Sequence, residues 1–352
     1  MMIVRPITEK DHGALWALAQ ETGAGFTSLQ PDRQRVADKL KWTLASWETG
    51  EEKQQGSQEQ LFLFVMEDTS TKAVVGVAAI ESAVGLSAPW YNYKVNKQVH
   101  ASQKLGVYTM VETLMLCSDH TGYSELCTLF LMPEARHSGN GAFLSKSRFL
   151  FMAAFPSLFS ETLIAEMRGY CDDQEVSPFW EALGRHFFAV DFAEADRQVT
   201  SDKAVIAELM PRHPIYTNLL SPEAQKVIAA THDSTTPARR LLENEGLHYT
   251  GYVDIFDAGP LLEAKTSDIR AIRDSRVYTV KIIENPDADE SPWLLANDRF
   301  GDFRCAMGNL SFEGLEHVVI SPEQADALHV SEGDKLRVVP LSSTQASTKK
   351  VQ

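Results

Sequence analysis

Cysteine is scarce in this chain and never clustered. Four residues, Cys117, Cys127, Cys171 and Cys305, are spread over 352 positions with no Cys-x-x-Cys pair. That argues against a zinc site and fits a reduced, cytoplasmic location. Long apolar runs are missing too: no stretch approaches the ~18 residues of a membrane helix. The start, Met1 to Pro6, lacks the basic region and apolar core of a signal peptide. Positive charge is in deficit, with 33 Lys and Arg against 48 Asp and Glu and a formal net charge of −15. Such a balance argues against sequence-independent nucleic-acid binding and against docking on anionic membranes, since both need a basic surface. Two nucleotide signatures are also absent. No Gly-Lys-Ser/Thr closes a Walker A loop, and a Gly-x-Gly-x-x-Gly fingerprint fails because position 144 is Leu.

What is present reads as a mixed α/β chain, long enough for two domains. Ile3 to Arg5 is a strand stopped by Pro6. Thr8-x-x-Asp11 caps a helix carrying Leu15, Leu18 and Ala19, and Pro31-Asp32 opens a second with Val36, Leu40, Leu44 and Trp47 at helical spacing. Leu61 to Met66 and Ala73 to Ile80 predict a hairpin through Asp68-Thr69-Ser70. Next comes an insertion rich in aromatics and amides, containing one strand, Val107 to Leu116, and suited to a substrate wall. Leu163 to Met167 predicts another strand, and Ser177-Pro178 a capped helix ending at Gly184. The pattern at 237–249 faintly repeats that helix. Val318 to Ser321, Pro322 to Leu328 and Lys335 to Leu341 predict strand, helix and strand, before a frayed polar tail over 342–352. The expected division is a domain over 1–200 and another over 201–352, with a β-rich element from about 276.

The richest stretch runs from Glu125 to Gly141. An apolar strand, Leu126 to Leu131, is closed by Pro133 and followed by Arg136-His137-Ser138-Gly139-Asn140-Gly141. An amphipathic helix with Phe143, Leu144, Leu150, Phe151 and Ala154 comes next. Glycines at a helix start let backbone N–H groups converge where the helix dipole favours phosphate. The expectation is that the amides of residues 137–141 clasp a diphosphate. Arg136, His137, Lys146 and Arg148 would supply local positive charge in an otherwise acidic chain. This Arg-x-x-Gly-x-Gly segment resembles the acyl-CoA-binding motif of the GNAT superfamily of N-acyltransferases, the order β-α-α-β-β-β-α matches that fold, and the faint repeat at 237–249 leads us to expect a second, degenerate GNAT-like half.

Acyl transfer from a thioester to an amine needs a proton acceptor, a polarised carbonyl, a held oxyanion and a proton for the departing thiolate. His120, Glu125 and His232 are the acid–base candidates. In the GNAT fold the motif strand turns backbone N–H groups to the acyl carbonyl, which directs attention to the main chain near Leu129. Cys127, in the same strand, reads as a small core residue.

The resemblance narrows further. Pro89-Trp90-Tyr91-Asn92-Tyr93, Ser118-Asp119-His120-Thr121-Gly122, Ala165-Glu166-Met167-Arg168-Gly169, His213-Pro214-Ile215-Tyr216 and Tyr252-Val253-Asp254-Ile255-Phe256-Asp257 all resemble segments of the arginine N-succinyltransferase family. The likeness runs from Met2 to about Arg276 and more weakly to Leu341. It implies succinyl transfer from succinyl-CoA to the α-amine of L-arginine, the first step of the succinyl route of arginine breakdown. It also implies that His232 is the proton donor and that Leu129 contacts succinyl-CoA. The family sometimes pairs paralogous subunits, so a homo- or hetero-oligomer is expected. Succinyl-CoA would be a co-substrate, with no tightly bound cofactor and no metal. Arg168 is a candidate for the succinyl carboxylate. Trp90, Tyr93 and Asp254, with Glu125, Glu166 and Asp257, are candidates for the guanidinium. Rival readings are another amine or donor (ornithine, acetyl-CoA) and a catalytically silent acyl-CoA-binding subunit.

Overall fold

Leu61, Phe62, Leu63, Phe64, Val65 and Met66 are all fully buried, the signature of a strand covered on both faces. In the computed structural model, which describes residues 1–23, 26–50, 59–188, 209–286 and 291–342, they belong to β2 (Leu61–Asp68). It lies between β1 (Met2–Pro6) and β3 (Val74–Glu81). Side chains alternate between two cores. Phe62, Phe64, Ala78 and Ile80 pack beneath α3 (Asn140–Ala154), with Phe143 and Phe151. Leu63, Val65, Val77 and Ala79 pack against α1 (His12–Glu21) and α2 (Arg33–Thr49). Thr8 and Asp11 form the expected capping box, and Asp32 accepts the Arg35 N–H at 2.9 Å.

Among the described residues sixteen strands form one sheet. The predicted strand over 107–116 is β5 (Val107–Cys117), but it has a partner that the sequence reading missed, β4 (Asn92–Ser102). Its Lys94, Asn96, Lys97, Gln98 and His100 hide the apolar alternation, because the outer half of this hairpin faces solvent. The motif strand is β6 (Ser124–Leu131). It lies between β3 and β7 (Thr162–Glu166), and the sheet continues to β10 (Pro260–Lys265), β9 (His248–Val253), β4, β5 and β8 (Ile215–Tyr216). The pattern at 237–249 forms the helix Thr236–Glu245, closed by Gly246 at φ 111°, and then β9.

On the opposite edge, β13 (Cys305–Gly308) pairs with β1. Beyond it lie β12 (Trp293–Ala296), β16 (Lys335–Pro340), β11 (Arg276–Ile282), β15 (His317–Ile320) and β14 (Ser311–Glu313). A buried ionic cluster ties the two flanks to α3. Glu245 takes Lys146 Nζ at 2.9 Å, Arg270 Nη2 at 2.7 Å and the Ala271 N–H at 2.9 Å. The expected domain boundary at 200/201 and the tail over 343–352 lie outside the described residues.

Candidate active site

β6 and β7 start as parallel neighbours, but only Ser124↔Leu163 and Glu125↔Ile164 are paired. Beyond that point the ladder ends and the strands part. One arm is the rest of β6. Its ladder with β3 skips a residue. Ala79 pairs with Cys127 and Val77 with Phe130, so Thr128 and Leu129 together oppose Ala78. This is a β-bulge, and Thr128 takes φ 51° to make it. The buried Thr128 hydroxyl has no hydrogen-bond partner. A threonine at positive φ carries backbone strain, which persists where the surroundings enforce it and is frequent at functional sites.

After β6 the chain turns through Pro133–Ala135 into the glycine loop. Ser138 (φ 52°) and Gly139 (φ 80°) both adopt left-handed backbone just before α3. Of the amides expected to clasp a diphosphate, two are spent within the loop: the His137 N–H donates to Ala135 O at 2.9 Å and the Asn140 N–H to His137 O at 3.0 Å, which leaves those of Ser138, Gly139 and Gly141 for a ligand. Asn140 is buried and ties the loop down with an Nδ2 bond to Ala135 O at 3.0 Å. A Cβ placed on Gly141 would meet nothing within 4 Å. Arg136 is exposed; its Nε donates to Leu131 O at 2.9 Å, and its guanidinium lies 5.7 Å from the Phe130 ring centroid. His137 is exposed beside Ser138, with Nδ1 3.0 Å from Oγ.

Two of the four expected loop cations are elsewhere. Lys146 is only 5% and Arg148 2% exposed. Lys146 is spent on Glu245 and Leu341 O, and Arg148 turns beneath the sheet. Both are on the inward face of α3, where a periodicity reading cannot tell a snorkelling cation from a buried one.

The second arm extends β7. Met167 N–H bonds to Pro260 O at 3.0 Å, Gly169 bridges to Thr231, and the His232 N–H donates to Arg168 O at 2.9 Å. The main chain is very close here. A Cβ on Gly259 would sit 2.0 Å from Met167 O, and one on Gly169 would sit 2.4 Å from Asp257 O. Asp257 clamps the crossing by accepting the Gly169 N–H at 2.7 Å and the Gly259 N–H at 2.8 Å. Its burial, with Asp254 nearby, pushes this carboxyl well above the usual range.

His232 lies in the turn that Ser234 completes. Its Nδ1 is 2.7 Å from Ser234 Oγ and accepts the Ser234 N–H at 3.2 Å. An N–H can only donate, so in the neutral ring the proton sits on Nε2. Burial, then the charge of Arg168, holds the imidazole below its ordinary range. Arg168 itself pairs with Glu175, and its Nε is buried without a partner.

The remaining candidates sort by burial. Glu125 stands opposite Glu81 on the neighbouring strand, and the Cys127 thiol lies 3.8 Å from Glu81 Oε1. His120 is only 2% exposed, enclosed by Trp90, Tyr123 and Tyr252, whose ring centroids lie 5.8, 5.4 and 4.4 Å away. Burial lowers its pKa although Glu263 is 3.6 Å away. Its Nδ1 donates at 3.0 Å to Asn92 Oδ1, and Asn92 Nδ2 donates to Glu166 at 2.9 Å.

Three substrate candidates are engaged within the fold. Tyr93 is fully buried, its hydroxyl 3.4 Å from Met210 Sδ. Trp90 is 4% exposed and packs with Ile164 and Leu261. The Asp254 carboxylate accepts the N–H groups of Phe256 and Asp257 and so shapes its own turn. The structure thus brings Leu129 and residues 136–141 onto one arm and Arg168 and His232 onto the other. Glu81, Asn92, Arg148 and Ser234 were not singled out for these contacts. Only Ser234, two residues along from His232, was within reach of a sequence argument; Glu81, Asn92 and Arg148 meet their partners across long connections.

A family model described as arginine N-succinyltransferase beta subunit matches residues 2–271, and its C-terminal domain matches residues 276–340. The chain belongs to the arginine N-succinyltransferase family. Within that family, the arginine N-succinyltransferase of Yersinia pseudotuberculosis serotype O:3 (strain YPIII) is 52% identical over 351 residues, covering 97% of this chain and 98% of the relative. That of Escherichia coli (strain 55989 / EAEC) is 46% identical over 346 residues, covering 98% and 99%. A solved structure, arginine/ornithine succinyltransferase subunit AI from Pseudomonas aeruginosa, superposes with a TM-score of 0.87 at 34% identity, covering 97% of this chain and 99% of that one. The chain is therefore an acyltransferase with the GNAT-like architecture of this family. Among the described residues no helix is long and apolar enough to cross a membrane, and no group of three or more His, Cys, Asp or Glu could hold a metal ion.

Proposed function

We propose that this chain transfers the succinyl group of succinyl-CoA to the α-amine of L-arginine, giving N2-succinyl-L-arginine and CoA. One observation carries the reading: the parting of β6 and β7 leaves a bulged strand on one side and His232 on the other. The diphosphate rests on the amides around Gly139 and the start of α3. The thioester enters between the arms, with its carbonyl toward the Leu129 N–H. The amine nitrogen attacks the carbonyl carbon and loses a proton, possible bases being Glu125 and solvent. The C–S bond breaks, and the imidazolium form of His232 gives its Nε2 proton to the departing sulfur, while the proton lost by the amine, carried through Glu125 or solvent, restores that form. Arg168 takes the succinyl carboxylate. Because His232 comes from the second part of the chain, residues 201–352 complete the site that residues 1–200 begin.

Transfer is direct. Burial pushes the Cys127 thiol far above its ordinary value, so no thiolate is at hand to form an acyl-enzyme. All four cysteines are free, in keeping with a reducing cytoplasm. The protein works as an oligomer, with itself or a paralogue.

The test is to offer the purified chain a mixture of succinyl-CoA and acetyl-CoA with arginine and ornithine, and to weigh the products. Succinyl-arginine as the major product supports the reading. Acetylated or ornithine-derived product in excess favours a different specificity, and no product from the chain alone favours the silent subunit. His232→Ala should lower kcat by roughly 10²–10⁴, and an unchanged rate removes it from the site.

A further inference from the structure

Arg148 is the largest polar side chain among the fully buried residues, only 2% exposed at the middle of α3. Each of its hydrogen bonds goes to a neutral oxygen. Nε donates to Ser145 O at 3.0 Å and Nη2 to Ser145 Oγ at 3.1 Å, both on its own helix. Nη1 crosses to the sheet, reaching Ala79 O at 3.2 Å and Cys127 O at 3.4 Å. Those two residues are no arbitrary pair. Ala79↔Cys127 is the last couple in register before the ladder slips at Thr128 and Leu129.

An isolated charge is costly to bury. An apolar side chain of similar length would fill the same space without that cost. What it could not do is grip two carbonyls on adjacent strands. Burial lowers the guanidinium pKa to about 10, which still leaves it charged at neutral pH. The cation therefore stands at Cys127, one residue from the strained Thr128.

We propose that Arg148 is a positioning residue for acyl transfer: by bridging Ala79 O and Cys127 O it locks the bulge and so aims the Leu129 N–H at the thioester carbonyl. The proposal rests on the acyltransferase reading above and adds to it a residue that touches no substrate. Its fixed charge beside a strand that must face a developing oxyanion acts in the same direction.

The test compares Arg148→Met, which removes charge and bridge but keeps volume, with Arg148→Lys, which keeps the charge. Expected in Arg148→Met is a fall in kcat of about 10² or more, with the calorimetric Kd for CoA, which has no acyl carbonyl, within threefold of the parent. Arg148→Lys, which keeps the charge but not the bridge to two carbonyls, should recover about tenfold of the lost kcat and remain about tenfold below the parent. A folded Arg148→Met with kcat within threefold of the parent overturns the proposal, and so does a loss of CoA affinity as large as the loss of rate. If Arg148→Met does not fold, Arg148→Lys carries the test. A tenfold drop in kcat with CoA affinity held supports the proposal, and a rate within threefold contradicts it. Parent enzyme assayed alongside keeps the two claims apart, since an inactive parent would fail the acyltransferase reading itself.

Discussion

At the scale of single residues the account makes its sharpest demands on Gly141 and His120. Open space surrounds the position a Gly141 Cβ would take, so a larger side chain costs the fold little and costs the ligand much. Gly141→Val should weaken CoA binding at least tenfold by calorimetry, while the melting temperature stays within about 2 °C of the parent. Equal affinity would reduce the loop to a turn. His120 makes a different prediction, set by linkage. Its folded-state pKa lies below the unfolded value of about 6.5 because burial disfavours the cation. The unfolded chain therefore binds the extra proton, and stability rises with pH through that window and is lost as pH falls below it. The urea midpoint should drop between pH 7.5 and 5.5, and the drop should shrink in His120→Gln. An identical drop in both proteins would mean that Glu263 and Asp119, which favour the cation, compensate the burial.

At the scale of elements the outcome depends on α3, which carries the diphosphate loop at one end and a buried ionic cluster along its flank. Glu245 neutralises both Lys146 and Arg270 with almost no water access. Removing one member of such a cluster strands the others. Glu245→Gln should cost about 3–5 kcal/mol in urea unfolding, and a loss below 1 kcal/mol would show that water relieves the site. Much of this level was legible in the chain. The continuous apolar runs of β2 and β3, the cap at Asp32 and the Arg-x-x-Gly-x-Gly loop each depend on neighbours a few residues away, which a sequence displays. The β4 strand did not show, because its outer half is exposed and carries no apolar stripe. Lys146 and Arg148 were misplaced because burial of a charge is decided by partners far along the chain, such as Glu245, Leu341 and Cys127. Tyr93 looked available for a substrate for the same reason, since the Met210 and Phe179 that enclose it lie over 80 positions away and no local pattern announces them.

At the scale of the whole molecule, one sheet gathers both halves around the gap between β6 and β7. The acidic chain, at −15 overall, concentrates main-chain donors where a polyanion is to be held. Burial raises the pKa of the Cys127 thiol, and the proposed direct transfer requires both substrates to be bound together. Initial-rate plots should intersect, and intact-mass spectra of enzyme with succinyl-CoA alone should show no added succinyl group; parallel lines or a succinylated enzyme would reinstate a two-step route. The most direct measurement is a crystal structure with CoA and a bound acyl group or analogue. The account predicts the diphosphate on the amides of Ser138, Gly139 and Gly141 and the acyl carbonyl oxygen about 2.7–3.2 Å from the Leu129 nitrogen, with His232 Nε2 facing the sulfur. Density for the nucleotide outside the gap, or a carbonyl turned away from the bulge, would contradict it.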